Sequence, residues 1–93
     1  MITEGFDVKG TKYKVGMEVL LPGGADLWYI TKIELGPDNK VGKLYLINSK
    51  FDMFEEIQSM RHITLTGYFK PEFSKMAKEL DKRDYWDVKK NLK

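Results

Sequence analysis

A mainly β domain that ends in an α-helix is the fold class the chain predicts, and three observations predict it. Between Tyr13 and Ile47, three apolar segments are separated by two turn-forming segments, Pro22-Gly23-Gly24-Ala25-Asp26 and Gly36-Pro37-Asp38-Asn39-Lys40. That is the pattern of a three-stranded antiparallel meander. Period-two alternation returns at Ile63, Leu65 and Gly67 with Thr64 and Thr66 between them, and threonines favour strands. Finally, Phe73, Met76, Ala77 and Leu80 follow Pro71 at i, i+3, i+4 and i+7 spacing, the stripe of an amphipathic helix with proline in its first turn.

Taken in order, Ile2 to Val8 forms a short strand or an arm along the sheet edge, weakened by Gly5 and Gly10. The first full strand places Tyr13, Val15, Met17, Val19 and Leu21 on one face and Lys14, Gly16, Glu18 and Leu20 on the other. Pro22-Gly23-Gly24 ends it, because proline cannot donate to a ladder and glycine accepts positive φ at little cost. In the second strand Leu27, Tyr29, Thr31, Ile33 and Leu35 share a face, and Trp28 and Ile30 lead the other before it turns polar at Lys32 and Glu34. The third sets Leu44 and Leu46 against Tyr45 and Ile47. A sheet with apolar residues on both faces needs a covering layer on each, and the C-terminal segment is the candidate for the second.

Asn48 to Met60 reads two ways. Asp52 and Glu55 have capping-box spacing before Ile57, which suits a helix, while Phe51 to Ile57 also fits a fourth strand. A fifth strand then covers 63–67, the amphipathic helix 70–83, and a short helical or frayed tail capped by Asp84 covers 84–93. The 93 residues make a single domain, 1–93, with the strands at 13–67, and a domain of this size buries roughly 60–70% of the surface its unfolded chain exposes.

Five short strands with these turns suit a small closed barrel, since closure removes exposed edges. Val15-Gly16-Met17-Glu18-Val19, Trp28-Tyr29-Ile30-Thr31-Lys32-Ile33, Lys43-Leu44-Tyr45-Leu46-Ile47 and Phe54-Glu55-Glu56-Ile57 before Ile63 together resemble the strand sequence of SH3-like barrels of the Tudor and KOW type. The resemblance covers about residues 13 to 66, favours the strand reading at 52–58, and implies a five-stranded SH3-like barrel plus helix acting as a non-enzymatic binding module. Tudor-like domains read methylated side chains in aromatic cages, and KOW-type domains bind nucleic acid or ribonucleoprotein partners. Tyr29 matches a Tudor aromatic, whereas Gly23 and Asn48 stand where further cage walls belong, and the glycine-centred KOW signature is absent. The resemblance thus carries the fold and not the ligand.

Composition narrows the function. Zero cysteines exclude disulfides and thiolate metal sites, which suits a reducing compartment. The start, MITEGFDVKG, lacks the basic and apolar regions of a secretory signal, and no run approaches the roughly 20 apolar residues of a membrane span. A cytoplasmic protein without membrane contact is expected. His62 is the only histidine, so a metal site would need carboxylates. Asp52, Glu55 and Glu56 have the spacing of capping or surface residues, Gly23-Gly24 lacks the Lys-Ser/Thr of a phosphate loop, and no nucleophile elbow is present. The expectation is no catalytic activity, no metal and no cofactor.

What remains is binding. Trp28, Tyr45, Phe51 and Phe54 lie near one another in the barrel reading, either as an exposed set or packed under the helix and inside the barrel. Tyr85 and Trp86 either anchor a partner or fold back. These six define the leading expectation, a small adaptor or inhibitor that binds a protein partner, of a size that suits a regulator from a phage or mobile element. Charge supplies the alternative. Residues 1–60 carry seven Lys against nine acids, and residues 61–93 carry nine Lys and Arg against five. Lys75, Lys78, Lys82 and Lys89 fall nearest one stripe, so the alternative is a nucleic-acid-binding module, weak and nonspecific, using these lysines for phosphates and the loop aromatics for stacking.

Overall fold

The computed structural model describes residues 2–50 and 53–72. They form seven strands: β1 (Glu4–Phe6), β2 (Lys12–Lys14), β3 (Met17–Leu20), β4 (Leu27–Leu35), β5 (Val41–Asn48), β6 (Phe54–Ile57) and β7 (Thr64–Phe69), with a 3-10 turn at Met60–His62. β1 and β2 make a two-stranded hairpin, and the rest make a five-stranded antiparallel sheet ordered β6-β5-β4-β3-β7. The chain therefore runs as a four-strand meander and then returns β7 to pair with β3.

The expected class, mainly β with a C-terminal α-helix in a five-stranded barrel plus helix, needs correction. The described residues are mainly β, in two sheets, with no helix of seven or more residues among them. From residue 73 onward, the expected helix at 70–83 and tail at 84–93 lie outside the described residues. Nor is the sheet closed, because β6 and β7 are its two edges. Both edges are blunted, as edges must be to avoid pairing with other chains. β6 is four residues long and carries Glu55 and Glu56, and β7 is bulged, with Thr66, Gly67 and Tyr68 opposite the single residue Glu18.

The predicted strand from Tyr13 to Leu21 is in fact broken between β2 and β3. Gly16 makes the break, with φ of 100°, a region that costs any residue with a Cβ. Its N–H donates to the Ile30 carbonyl at 2.8 Å and its carbonyl accepts from Lys70 N–H at 2.9 Å. The alternation survives the break, for Tyr13, Val15 and Val19 are buried in the core with Met17 and Leu21 packed against them. Ile2 to Val8, expected as a strand or an edge arm, supplies β1, which pairs with β2 and lays Gly5 against Leu35, Val41 and Ile33.

β4 has the predicted bounds but not the predicted faces. Ile30 pairs with Leu46 and Lys32 with Tyr45, so Thr31 is an extra residue on β4. A bulge of this kind re-phases the alternation. Trp28 and Ile30 point into the core before it, Ile33 and Leu35 after it. Gly42 does the same on β5, between the Glu34–Lys43 and Leu35–Val41 pairs, which brings Val41 to the core side with Leu44 and Leu46. Of these, Ile30, Ile33, Leu44 and Leu46 are buried aliphatic side chains, each contributing about 1.5–3 kcal/mol.

Tyr29, Tyr45, Ile47 and Phe54 are also buried, yet lie outside that core cluster. Register explains their grouping, since Glu18 faces Tyr29, Tyr29 faces Ile47 and Ile47 faces Phe54 in one row across β3 to β6, and Tyr45 lies two positions from Ile47 on β5. The sheet thus buries apolar side chains on both faces, as its composition required.

Candidate binding cleft

The β1–β2 turn is built around one carboxylate. Asp7 Oδ1 accepts from the backbone N–H of Lys9 at 2.9 Å and of Thr11 at 2.8 Å, while Tyr13 donates its hydroxyl to Oδ2 at 3.3 Å. Asp7 and Thr11 close the turn through N–H to O at 3.0 Å, and Gly10 takes φ of 86°. Burial pushes the Asp7 carboxyl up, but the two backbone donors, the tyrosine and nearby Lys9 outweigh it and hold it below its ordinary value. The Tyr13 hydroxyl is pushed up by burial and by Asp7. A local hydrogen-bonding side chain of this kind is what makes aspartate a turn residue. Its consequence is positional, for Val8, 78% exposed, and the exposed Lys9 are held on the rim of a cleft.

The opposite wall follows β6. Gln58 and Ser59 lead into the 3-10 turn, which Ile63 N–H closes on the Met60 carbonyl at 3.2 Å. Met60, Ile63 and Leu65 are half-buried on the cleft side, and Val41 and Tyr13 complete the lining of a volume of about 490 Å³. This lies within the ~300–1,000 Å³ of ordinary ligand pockets. Arg61 is exposed on the same wall. Among the described residues the ion pairs are Lys12 with Glu4 and Lys43 with Glu56, so neither Lys9 nor Arg61 is in one.

A second feature lies on β7. The bulge at Gly67, φ 87°, aims Tyr68 outward, 53% exposed, and a hollow of about 90 Å³ opens beside Met17, Leu65 and Phe69. Behind it the buried Glu18 accepts from the Tyr29 hydroxyl at 2.9 Å and the Thr66 hydroxyl at 2.7 Å. The nearby cations are already placed over rings, Lys14 at 4.7 Å from Phe69 and Lys70 at 5.0 Å from Tyr29. A hydrogen bond with Tyr29 is the main reason the Lys70 ammonium is held above its ordinary value.

The residues expected to bind a partner fall elsewhere. Trp28, at 7% exposure, sits in the core, while Tyr45 and Phe54 are buried on the opposite face of the sheet. All three are buried, and the sheet separates Trp28 from the other two. Burial first, then a 2.9 Å hydrogen bond to Glu34 Oε2 and the charges of Glu34 and Glu56, push the Tyr45 hydroxyl up to about 12. Phe51, Tyr85, Trp86, Lys75, Lys78, Lys82 and Lys89, together with Asp52, lie outside the described residues. Tyr29, the match to a cage aromatic, is 2% exposed and offers no open ring face. His62 is exposed, on the 3-10 turn. Among the described residues no three of His, Asp and Glu come together as a metal site would require, and no helix is long and apolar enough to cross a membrane.

Sequence reading missed the cleft. Its one local signal is Asp7-Val8-Lys9-Gly10-Thr11, an aspartate followed by a glycine at hairpin-turn spacing, whereas the meeting of this turn with residues 58–65 has no local signature. No protein-family model, no curated protein and no solved structure matches the chain.

Proposed function

We propose that the chain is a non-catalytic binding module, an adaptor or inhibitor that engages a protein partner through the cleft between the β1–β2 turn and residues 58–65. The observation that carries this reading is the cleft itself, half-buried Met60, Ile63 and Leu65 beneath a rim where Val8 stands 78% exposed. Apolar side chains left open around a concavity are the ordinary mark of an interaction site. The turn that presents them is held by hydrogen bonds before any partner arrives, which lowers the entropic cost of binding. Nucleic acid is the weaker candidate for the cleft, because the described residues that form it and its surroundings carry nine Lys and Arg against nine Asp and Glu, and phosphate binding needs a basic patch. A chain with zero cysteines suits a reducing, cytoplasmic setting.

The test is a photo-crosslinking amino acid placed at Val8 or at Asn39, which is exposed on the β4–β5 turn. Crosslinking in nuclease-treated lysate, followed by sequencing of the attached peptide, should give one defined protein from position 8 and none from position 39. Equal products from both positions, or loss of the product on nuclease treatment, defeats the reading.

A further inference from the structure

We infer that the cleft selects an extended peptide in which an acidic side chain lies next to a large aliphatic one. This rests on the binding-module reading and gives the partner a chemistry. Three charged groups line the cleft, Asp7, Lys9 and Arg61. Asp7 is spent inside the turn, its two oxygens accepting from Lys9 N–H, Thr11 N–H and the Tyr13 hydroxyl. Lys9 offsets part of the Asp7 charge, and the cleft still carries two exposed cations, one on each wall, against one buried carboxylate, with neither cation in an ion pair among the described residues. The lining between them is aliphatic, from Met60, Ile63, Leu65 and Val41. Two cations flanking an aliphatic trough complement a carboxylate beside a Leu, Ile or Met side chain.

Arg61 presents a planar fork of donors that suits a carboxylate, while Lys9 acts as a point charge. Around them the Gln58 amide and the Ser59 and Thr11 hydroxyls offer partners of the kind a peptide backbone uses. The same lining argues against nucleic acid, since Tyr13 is its one aromatic and is 3% exposed, which leaves no ring for a base to stack upon.

The experiment pans a phage-displayed library of random short peptides against the full chain and measures the enriched peptides by fluorescence anisotropy. Enriched sequences should pair Asp or Glu with a neighbouring Leu, Ile or Met. Arg61→Glu or Lys9→Glu, both at exposed positions, should weaken them about tenfold, equivalent to about 1.4 kcal/mol, with thermal unfolding unchanged. Selection repeated on Arg61→Glu should shift toward Lys-bearing peptides. Neutral or basic consensus sequences, no enrichment, affinity indifferent to both charge reversals, or displacement by single-stranded DNA each overturns the inference. A defined crosslink at Val8 together with any of these outcomes would leave protein binding standing and remove only the acidic-peptide chemistry.

Discussion

Asp7 and Glu18 are two largely buried carboxylates, each 8% exposed, and the chain satisfies them in opposite ways. Asp7 draws on donors no more than six positions away, two of them backbone N–H groups of its own turn. Glu18 draws on Tyr29 of β4 and Thr66 of β7, the second 48 positions along the chain. The first carboxylate shapes a local loop and thereby the rim of the cleft. The second ties together three strands that become neighbours only when the sheet forms. Loss of a local bond should therefore be felt where the cleft is, and loss of a long-range one in the stability of the whole.

Gly16 and Gly10 sharpen this comparison most strongly, because both have positive φ, 100° and 86°. At Gly16 a Cβ would also lie 2.6 Å from the Lys70 carbonyl oxygen and 2.7 Å from the Phe69 ring, whereas at Gly10 it would meet nothing within 4 Å. Gly16→Ala should cost about 3 kcal/mol or more, because a backbone oxygen cannot step aside as a side chain can, and Gly10→Ala about 1–2 kcal/mol of conformational strain. Denaturant unfolding of the two variants checks the difference. Equal losses would mean that β7 does not return to β3 at this point.

Next in size is Glu18→Ala, expected to cost about 2–3 kcal/mol, in line with hydrogen bonds to a charged group. Its double-mutant cycle with Thr66→Val should show coupling. Strict additivity would mean that the β3–β7 link carries no energy.

The smallest effect expected is on pH dependence at Asp7. Its folded pKa lies below the ordinary 3.8, so its contribution to stability is fully present above that value and is lost as pH falls through the lower folded one. The amide resonances of Lys9 and Thr11 should shift together below about pH 3.8. In Asp7→Asn that shift should vanish and Val8 crosslinking should fall. Unaltered titration of these amides in Asp7→Asn would detach the carboxylate from the turn.

Alternation placed Tyr13, Val15, Met17, Val19 and Leu21 on the core side, since pleating sends alternate side chains to opposite faces. Its rule failed in the middle of β4, where the extra residue Thr31 moves the core side from Trp28 and Ile30 to Ile33 and Leu35. A bulge exists only relative to a partner strand, and nothing in the run Leu27 to Leu35 names that partner. The cleft was hidden for the same reason, as it lies between two segments about fifty positions apart.

The amino-acid order alone determined the turns at Pro22 and Gly36, the bounds of β4 and the demand that both faces of the sheet be covered. These depend on side-chain polarity, β-branching and the φ preferences of glycine and proline, which act over a few residues. Tertiary structure alone decided that Trp28, Tyr45 and Phe54 are interior and that Val8, Lys9 and Arg61 border an open cleft. Burial is a property of what packs above a residue, and in this sheet that is set by strand pairings such as β3 with β7, whose partners are far apart in the chain.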